Sequence, residues 1–243
     1  MPEKVGTHEE WEAARNELLE LENEHAQQSE ELASKRRELP WVPVEKDYTF
    51  ATEEGTKTFA ELFEGRSQLL AYNIMFGPTY EAACPGCSNL ADHLDAALVH
   101  LNHRDVTLVC FSRAPIEKLK AYKQRMGWQF PYVSTCESDF AFDFSLALTE
   151  EQAAGVEEIQ AAVKDPDDWL RDWAKNVGTD LEHGLRENPS WYAFAVEDGV
   201  VYHTYSRSAP DHDFVVPYYS QLLDRTPKGR VDEFRATRRD EYE

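Results

Sequence analysis

Leu69-Leu70-Ala71-Tyr72-Asn73-Ile74-Met75-Phe76 is an apolar run, and seven residues after it the chain reads Cys84-Pro85-Gly86-Cys87. A helix-like segment over residues 88–103 follows, with Leu90, Leu94, Ala97, Leu98 and Leu101 on one face. The order is strand, loop, then two thiols three positions apart at the start of a helix. That is the layout of a dithiol redox site. A helix N-terminus offers unpaired N–H groups and a partial positive charge, and both favour a thiolate. Pro85 suits the first turn, where its missing N–H removes no hydrogen bond. Cys84 reads as the exposed nucleophile, and Cys87, one turn further in, as the thiol that resolves a mixed disulfide.

Downstream, Val106-Thr107-Leu108-Val109-Cys110-Phe111 is nearly all apolar, as a buried parallel strand is. A helix over 115–126 stops at Gly127, and Phe130-Pro131-Tyr132-Val133 is a short strand. The centre therefore reads β-α-β-α-β, which predicts a parallel sheet with right-handed crossovers. Residues 150–188 are strongly charged and helix-like, with Trp169 and Trp173 four apart, and read as an inserted helical excursion. Trp191 to Val196, the turn Glu197-Asp198-Gly199 and Val200 to Tyr205 predict a hairpin. Residues 212–224, with Phe214, Val215, Tyr218 and Leu222, predict a closing helix, and a charged tail over 231–243 is expected to be mobile.

Upstream, residues 8–39 read as one long helix, opened by a Thr7/Glu10 capping box and ended before Pro40. Trp11, Ala14, Leu18, Leu21, His25, Gln28 and Leu32 form a heptad stripe along it. The stripe suits packing on the chain's own domain; a homodimer through this helix is the alternative. Residues 47–64 read as a hairpin and a short helix. The expected division is a helical extension over 1–40, a domain over 41–230 and the tail.

Hydrophobic residues make up 42% of the 243, enough for a sizeable core. No apolar run approaches the ~20 residues that span a membrane. The polar, acidic start Thr7-His8-Glu9-Glu10 is unlike a secretory signal. A cytoplasmic protein is expected, with no membrane partner. The net charge of −21 argues against nucleic acid. Its spread along the whole chain favours adaptation to a high-salt cytoplasm over an ordinary acidic protein. Two of the four cysteines form the one Cys-x-x-Cys, which is no disulfide scaffold.

Several short stretches sharpen the fold. They are Trp41-Val42-Pro43-Val44, Met75-Phe76-Gly77-Pro78, Cys84-Pro85-Gly86-Cys87-Ser88, Ala91-Asp92-His93, Ser112-Arg113-Ala114-Pro115, Met126-Gly127-Trp128, His203-Thr204-Tyr205-Ser206 and Thr226-Pro227-Lys228-Gly229-Arg230. Together they resemble the thioredoxin-like family catalogued as domain of unknown function 899. The resemblance spans about residues 41 to 230. It implies an α/β thioredoxin-like fold, a central mixed sheet flanked by helices, and a dithiol-disulfide oxidoreductase. It supplies no substrate. Catalysis is expected from Cys84 and Cys87 with no bound cofactor. The partners are then a disulfide substrate and a reductant protein or small thiol. In such folds a cis-proline faces the dithiol and its neighbouring backbone binds substrate. Asn188-Pro189 is the matching pair here, although X-Pro bonds are usually trans.

Other readings compete. A zinc site needs more ligands than Cys84, Cys87 and His93, so no metal is expected. His93, His100 and His103 read as surface or polar-rim groups, Cys110 as a core residue, and Cys136 as a bystander thiol, with a third redox thiol as the alternative. Arg113 reads as a surface or packing residue, with assistance to an anion or thiolate as the alternative. A thiol peroxidase would place Thr three residues before the reactive cysteine; Thr79 is five before, and Glu81 holds that position. A non-catalytic thioredoxin-fold binding protein is the remaining class.

Overall fold

The computed structural model describes residues 5–208, 225–226 and 238–241, and the closing helix expected over 212–224 lies outside them. So do Pro227 to Arg230 and most of the expected tail. The chain divides into two units, residues 1–41 and 42–243.

The first unit is one helix, α1 (His8–Arg37). Thr7 Oγ1 accepts from Glu10 N at 3.2 Å, and the Glu10 carboxylate accepts from Thr7 N at 2.7 Å. This is the reciprocal cap foreseen from the sequence. Lys35, Arg36 and Arg37 sit at the opposite end, where the helix dipole favours cations.

The second unit is built on one eight-stranded sheet. Its strands are β1 (Val42–Pro43), β2 (Thr49–Thr52), β3 (Gly55–Thr58), β4 (Gln68–Asn73), β5 (Val106–Ser112), β6 (Tyr132–Ser134), β7 (Ser190–Glu197) and β8 (Val200–Ser208). Their order is β1-β8-β7-β4-β5-β6-β2-β3. β4, β5 and β6 are mutually parallel, while β7 and β8 run antiparallel on the other side of β4. This is the thioredoxin-like arrangement, a parallel β-α-β-α-β half joined to an antiparallel hairpin. Asp198 and Gly199 turn that hairpin with positive φ at both positions, as a tight hairpin turn demands.

The central strands are buried on both faces, so their side chains divide by period two. Tyr72, Leu108, Cys110, Tyr132 and Trp191 join a core beneath the helices that carry the thiols. Leu69, Ala71, Val109, Phe111, Tyr192 and Phe194 join a second core with Tyr48, Phe50, Phe59 and Phe140. Phe140 is its hub, with ring centroids 5.0 Å from Phe50, 5.3 Å from Phe59 and 5.2 Å from Phe111.

The remaining helices are α2 (Pro85–Ala91), α3 (Leu98–Asn102), α4 (Ile116–Met126), α5 (Phe140–Asp143), α6 (Glu150–Ala154), α7 (Glu157–Lys164), α8 (Asp168–Val177) and α9 (Leu181–Gly184). The continuous helix expected over 88–103 is therefore broken. At the break, Asp92 accepts from Trp128 Nε1 at 2.7 Å, and Asp95 accepts from Gln129 N at 2.9 Å. These carboxylates anchor the loop that leads into β6, which a straight helix would not allow. α4 ends at Gly127, φ +71°, where a Cβ would also lie 2.9 Å from Arg239 Nη2. Gly127→Ala is expected to lower stability by about 1–2 kcal/mol, the cost of a left-handed non-glycine residue, measured by urea unfolding.

Within residues 150–188, α8 packs into the fold. Trp173, Ala174 and Val177 of α8 are buried in the core on the thiol side. Val177 O accepts from Glu81 N at 2.9 Å and Ala82 N at 3.2 Å, tying α8 to the loop ahead of Cys84. The charged residues of α8, Asp168, Arg171, Asp172 and Lys175, lie off the face that carries Trp173, Ala174 and Val177.

Candidate active site

Both thiols sit where β4 gives way to α2. Past Asn73, Ile74 N donates to Phe111 O at 2.9 Å, which extends the pairing with β5. The chain loops out and returns, and Cys84 N donates to Met75 O at 2.9 Å. Cys84 is the N-cap of α2, with Pro85 at the first helical position. Ser88 closes the turn, its N and Oγ both donating to Cys84 O at 2.9 and 3.0 Å.

The two sulfurs meet different surroundings. Cys84 is half-buried and Cys87 is buried, and both are free thiols. Trp173 Nε1 donates to Cys84 Sγ at 3.5 Å. The hydrogen bond from Cys87 is the largest influence lowering the Cys84 pKa to about 6. Burial opposes it, and the N–H groups of Cys87, Trp173 and Gly86 reinforce it. Burial pushes the Cys87 thiol well up, and the charge on Cys84 pushes it further. The Tyr72 hydroxyl and the Met75 N–H act in the other direction. Trp173→Phe keeps the ring and removes the donor. Its expected effect is a rise of roughly half a unit to one unit in the Cys84 pKa, seen in the pH dependence of alkylation.

An ion pair lies on the far side of Tyr80. Arg113, just past β5, donates from Nε at 3.0 Å and from Nη2 at 2.8 Å to Glu187 Oε1. The two side chains are only 13% and 1% exposed. Burial raises the Glu187 pKa, and Arg113 opposes the rise. Glu187 Oε2 is buried with no hydrogen-bond partner among the described residues. Gly77 makes room for the pair, since a Cβ there would lie 2.7 Å from Glu187 Oε1. Tyr80, whose hydroxyl donates to Gly184 O at 2.7 Å, feels the charges of Glu187 and of both thiols. Arg113 is thus a half-buried, paired residue and no free surface cation.

Asn188-Pro189 enters β7 opposite the end of β4, where Ser190 pairs with Asn73. The Asn188–Pro189 bond is trans, without the cis geometry that the resemblance suggested. Asn188 works within the fold: its N donates to Leu146 O at 2.9 Å and its Nδ2 to Ser145 O at 3.1 Å. Its carbonyl accepts from Asn73 Nδ2 at 2.8 Å.

The other candidates fall elsewhere. Cys110 is buried in β5. Cys136 is exposed and has Arg113, Glu137 and Glu187 as its charged neighbours. Among the described residues, no three His, Cys, Asp or Glu side chains gather to hold a metal. His93 Nδ1 lies 2.8 Å from Asn89 O within its own turn. Thr79 Oγ1 shares a 2.7 Å hydrogen bond with Thr179 Oγ1. A 210 Å³ cavity lies between the β2–β3 hairpin and α4, lined by Lys57, Lys123 and Tyr132 but by neither thiol of the pair. No described helix is long and apolar enough to cross a membrane.

A family model described as "Bacterial protein of unknown function (DUF899)" matches residues 1–242. The chain belongs to this family. Its thioredoxin-like fold rests on the strand order and the position of α2. Among curated proteins none matches. Among solved structures, peroxiredoxin Q of Xanthomonas campestris is similar at 14% identity and TM-score 0.44, over 66% of this chain and 80% of that one. Peroxidoxin BcpB from Mycobacterium tuberculosis is similar at 12% identity and TM-score 0.44, over 70% and 84%. Peroxiredoxin 6 of Arenicola marina is similar at 12% identity and TM-score 0.45, over 76% and 70%. Likenesses this distant assign no activity to the DUF899 chain.

Sequence reasoning missed three parts of the site. Trp173 was visible only as half of a Trp169/Trp173 pair in a charged segment. The Arg113–Glu187 pair joins residues 74 apart in the chain. Arg238 lies in a charged tail, and its role is described below.

Proposed function

We propose that this protein is a thiol-disulfide oxidoreductase in which Cys84 attacks and Cys87 resolves. The observation that carries the reading is the geometry at the start of α2: Cys84 at the N-cap, half-buried and accepting from Trp173 Nε1, beside the buried Cys87. An accessible thiolate beside a buried, protonated partner is what the two half-reactions need.

The Cys84 thiolate attacks one sulfur of a substrate disulfide R–S–S–R′. A Cys84–S–S–R bond forms, and R′–S⁻ leaves and takes a proton from solvent. Cys87 then gives up its proton, and its sulfur attacks Cys84 and displaces R–S⁻. The protein ends as a Cys84–Cys87 disulfide and the substrate as two thiols, so two electrons have passed to the substrate. A reductant dithiol restores the protein by the same exchange in reverse. The substrate backbone is assigned to the chain around Asn188-Pro189, at the same end of β4 as the dithiol, although the N–H and carbonyl of Asn188 itself are used within the fold.

The test is insulin-disulfide reduction and peroxide reduction with dithiothreitol as reductant, for wild type and Cys84→Ser, in molar salt to screen the acidic surface. Disulfide turnover by wild type alone is the expected result. Peroxide consumption without disulfide turnover would transfer the reading to a thiol peroxidase. Inactivity in both assays would leave a thioredoxin-fold binding protein.

A further inference from the structure

Arg238 is the least expected residue at this site. It stands in the run Arg238-Arg239-Asp240-Glu241, within the tail expected to be mobile. Yet it is only 2% exposed. A guanidinium carries five N–H donors in a rigid fork, and burying one is costly unless they are matched. Here all five are matched. Nε and Nη2 donate to Ala83 O at 3.1 and 2.6 Å. Nη1 donates to Asn176 Oδ1 at 2.7 Å and to Glu241 Oε1 at 2.8 Å. The second Nη2 hydrogen reaches Asn176 O at 3.2 Å.

The acceptors belong to the two walls of the dithiol site. Ala83 immediately precedes Cys84. Asn176 lies on α8, three residues beyond the Trp173 that donates to Cys84 Sγ. A third thread reaches the same place. The Tyr122 hydroxyl meets Arg238 and shares a 2.9 Å hydrogen bond with Ser88 Oγ, which in turn donates to Cys84 O. Around the clamp, Arg125 Nε binds Asp240 at 2.6 Å and Arg239 Nε lies 3.5 Å from Asp92. Residues 238–241 are thereby tied to α2 and α4 as well.

We propose that Arg238 is a positioning residue for the dithiol: its guanidinium clamps the Ala83 carbonyl to α8 and so holds the Trp173 indole on the Cys84 sulfur. The inference rests on the reading of Cys84 as the nucleophile. It requires the fork as well as the charge. Lysine has three donors on a point charge and cannot bridge Ala83 O and both Asn176 oxygens.

The test uses the full chain as wild type, Arg238→Met, Arg238→Lys, Trp173→Phe and the double variant Arg238→Met/Trp173→Phe. The readouts are the rate of Cys84 alkylation by iodoacetamide across pH, identified by peptide mass, and the unfolding midpoint. Both Arg238 variants are expected to move the alkylation profile up by roughly half a unit to one unit, the size of one lost hydrogen bond to the charged form. That is roughly a three- to eightfold lower thiolate fraction near pH 5.5, seen as a slower alkylation that the greater nucleophilicity of the more basic thiolate partly offsets. Trp173→Phe gives the same shift, and the double variant adds nothing to it, because both changes remove one contact. A lowered unfolding midpoint with an unmoved alkylation profile would overturn the proposal, and so would additive shifts. If Arg238→Met does not fold, Asn176→Ala removes one side of the clamp and is read in the same way. If wild-type Cys84 itself behaves as an ordinary thiol, the functional reading falls as well, and that result is separate from an Arg238 variant that merely matches a reactive wild type.

Discussion

Cys84→Ser is expected to abolish disulfide reduction, whereas Cys87→Ser is expected to complete half of it and stop. The serine variant at 84 has no nucleophile, because Cys87 is buried and its thiol is held protonated. The variant at 87 still attacks, but the Cys84–S–S–R bond has nothing to displace it. It should accumulate as a mixed disulfide of defined mass that dithiothreitol releases. The pH dependence follows from the lowered pKa of Cys84. Against an ordinary thiol near ~8.5, a pKa of about 6 raises the thiolate fraction roughly thirtyfold at pH 7. The weaker intrinsic nucleophilicity of a less basic thiolate gives back most of that, roughly tenfold. The net advantage is therefore small at neutral pH and grows to roughly tenfold near pH 6. Activity that persists into mild acid is the signature, and a profile that collapses below about pH 8 would contradict it. A stabilised thiolate also stabilises the reduced protein, so the dithiol should be the more oxidising for it.

Arg113→Met is expected to destabilise the protein by about 3–5 kcal/mol at neutral pH, because it strands Glu187 as an unpaired buried charge. The pH dependence has a definite sign. Burial already raises the folded-state pKa of Glu187 above its unfolded value. Below the unfolded pKa both states are protonated and nothing is lost. As pH rises through the folded pKa, the folded state must either keep the proton or hold a buried carboxylate, and stability falls. Without Arg113 the folded pKa is higher still, so the variant loses more than wild type as pH rises above the unfolded pKa of Glu187. Adding Glu187→Gln should recover part of the loss by removing the charge. Chemical unfolding of the three proteins at several pH values measures this. An Arg113→Met loss that does not depend on pH would mean that packing on Phe142, whose ring lies 4.9 Å from the guanidinium, is the greater contribution.

The sheet and its central helices were legible because their cause is local. Leu69 to Asn73 and Val106 to Phe111 are short, nearly unbroken apolar runs that fit strands buried on both faces, and Gly127 and Asp198-Gly199 stop elements at positions with positive φ. The dithiol was legible for the same reason, since Pro85 and the following helix lie next to it in sequence. What surrounds the dithiol was not. Trp173 stood out only as half of a pair with Trp169 in a charged, helix-like segment, and periodicity alone does not say which protein surface the inner face of α8 meets. Arg113 read as a surface or packing residue and its partner Glu187 gave no signal, since pairing between residues 74 apart leaves no trace in composition. Arg238 was hidden most completely: a charged run predicts exposure, and only the count of its five matched donors reveals a core residue. The expected 88–103 helix failed for a related reason, because Asp92 and Asp95 are used by a loop that comes some thirty residues later.

The most direct measurement is site-resolved alkylation of the reduced protein, with Cys84, Cys87, Cys110 and Cys136 each followed by peptide mass across pH. The account predicts that Cys84 reacts first, with a midpoint near pH 6, while Cys87 stays unlabelled until the protein unfolds. A Cys84 midpoint near the ~8.5 of a free thiol, or labelling of Cys87 or Cys136 ahead of it, would contradict the assignment of Cys84 as the nucleophile.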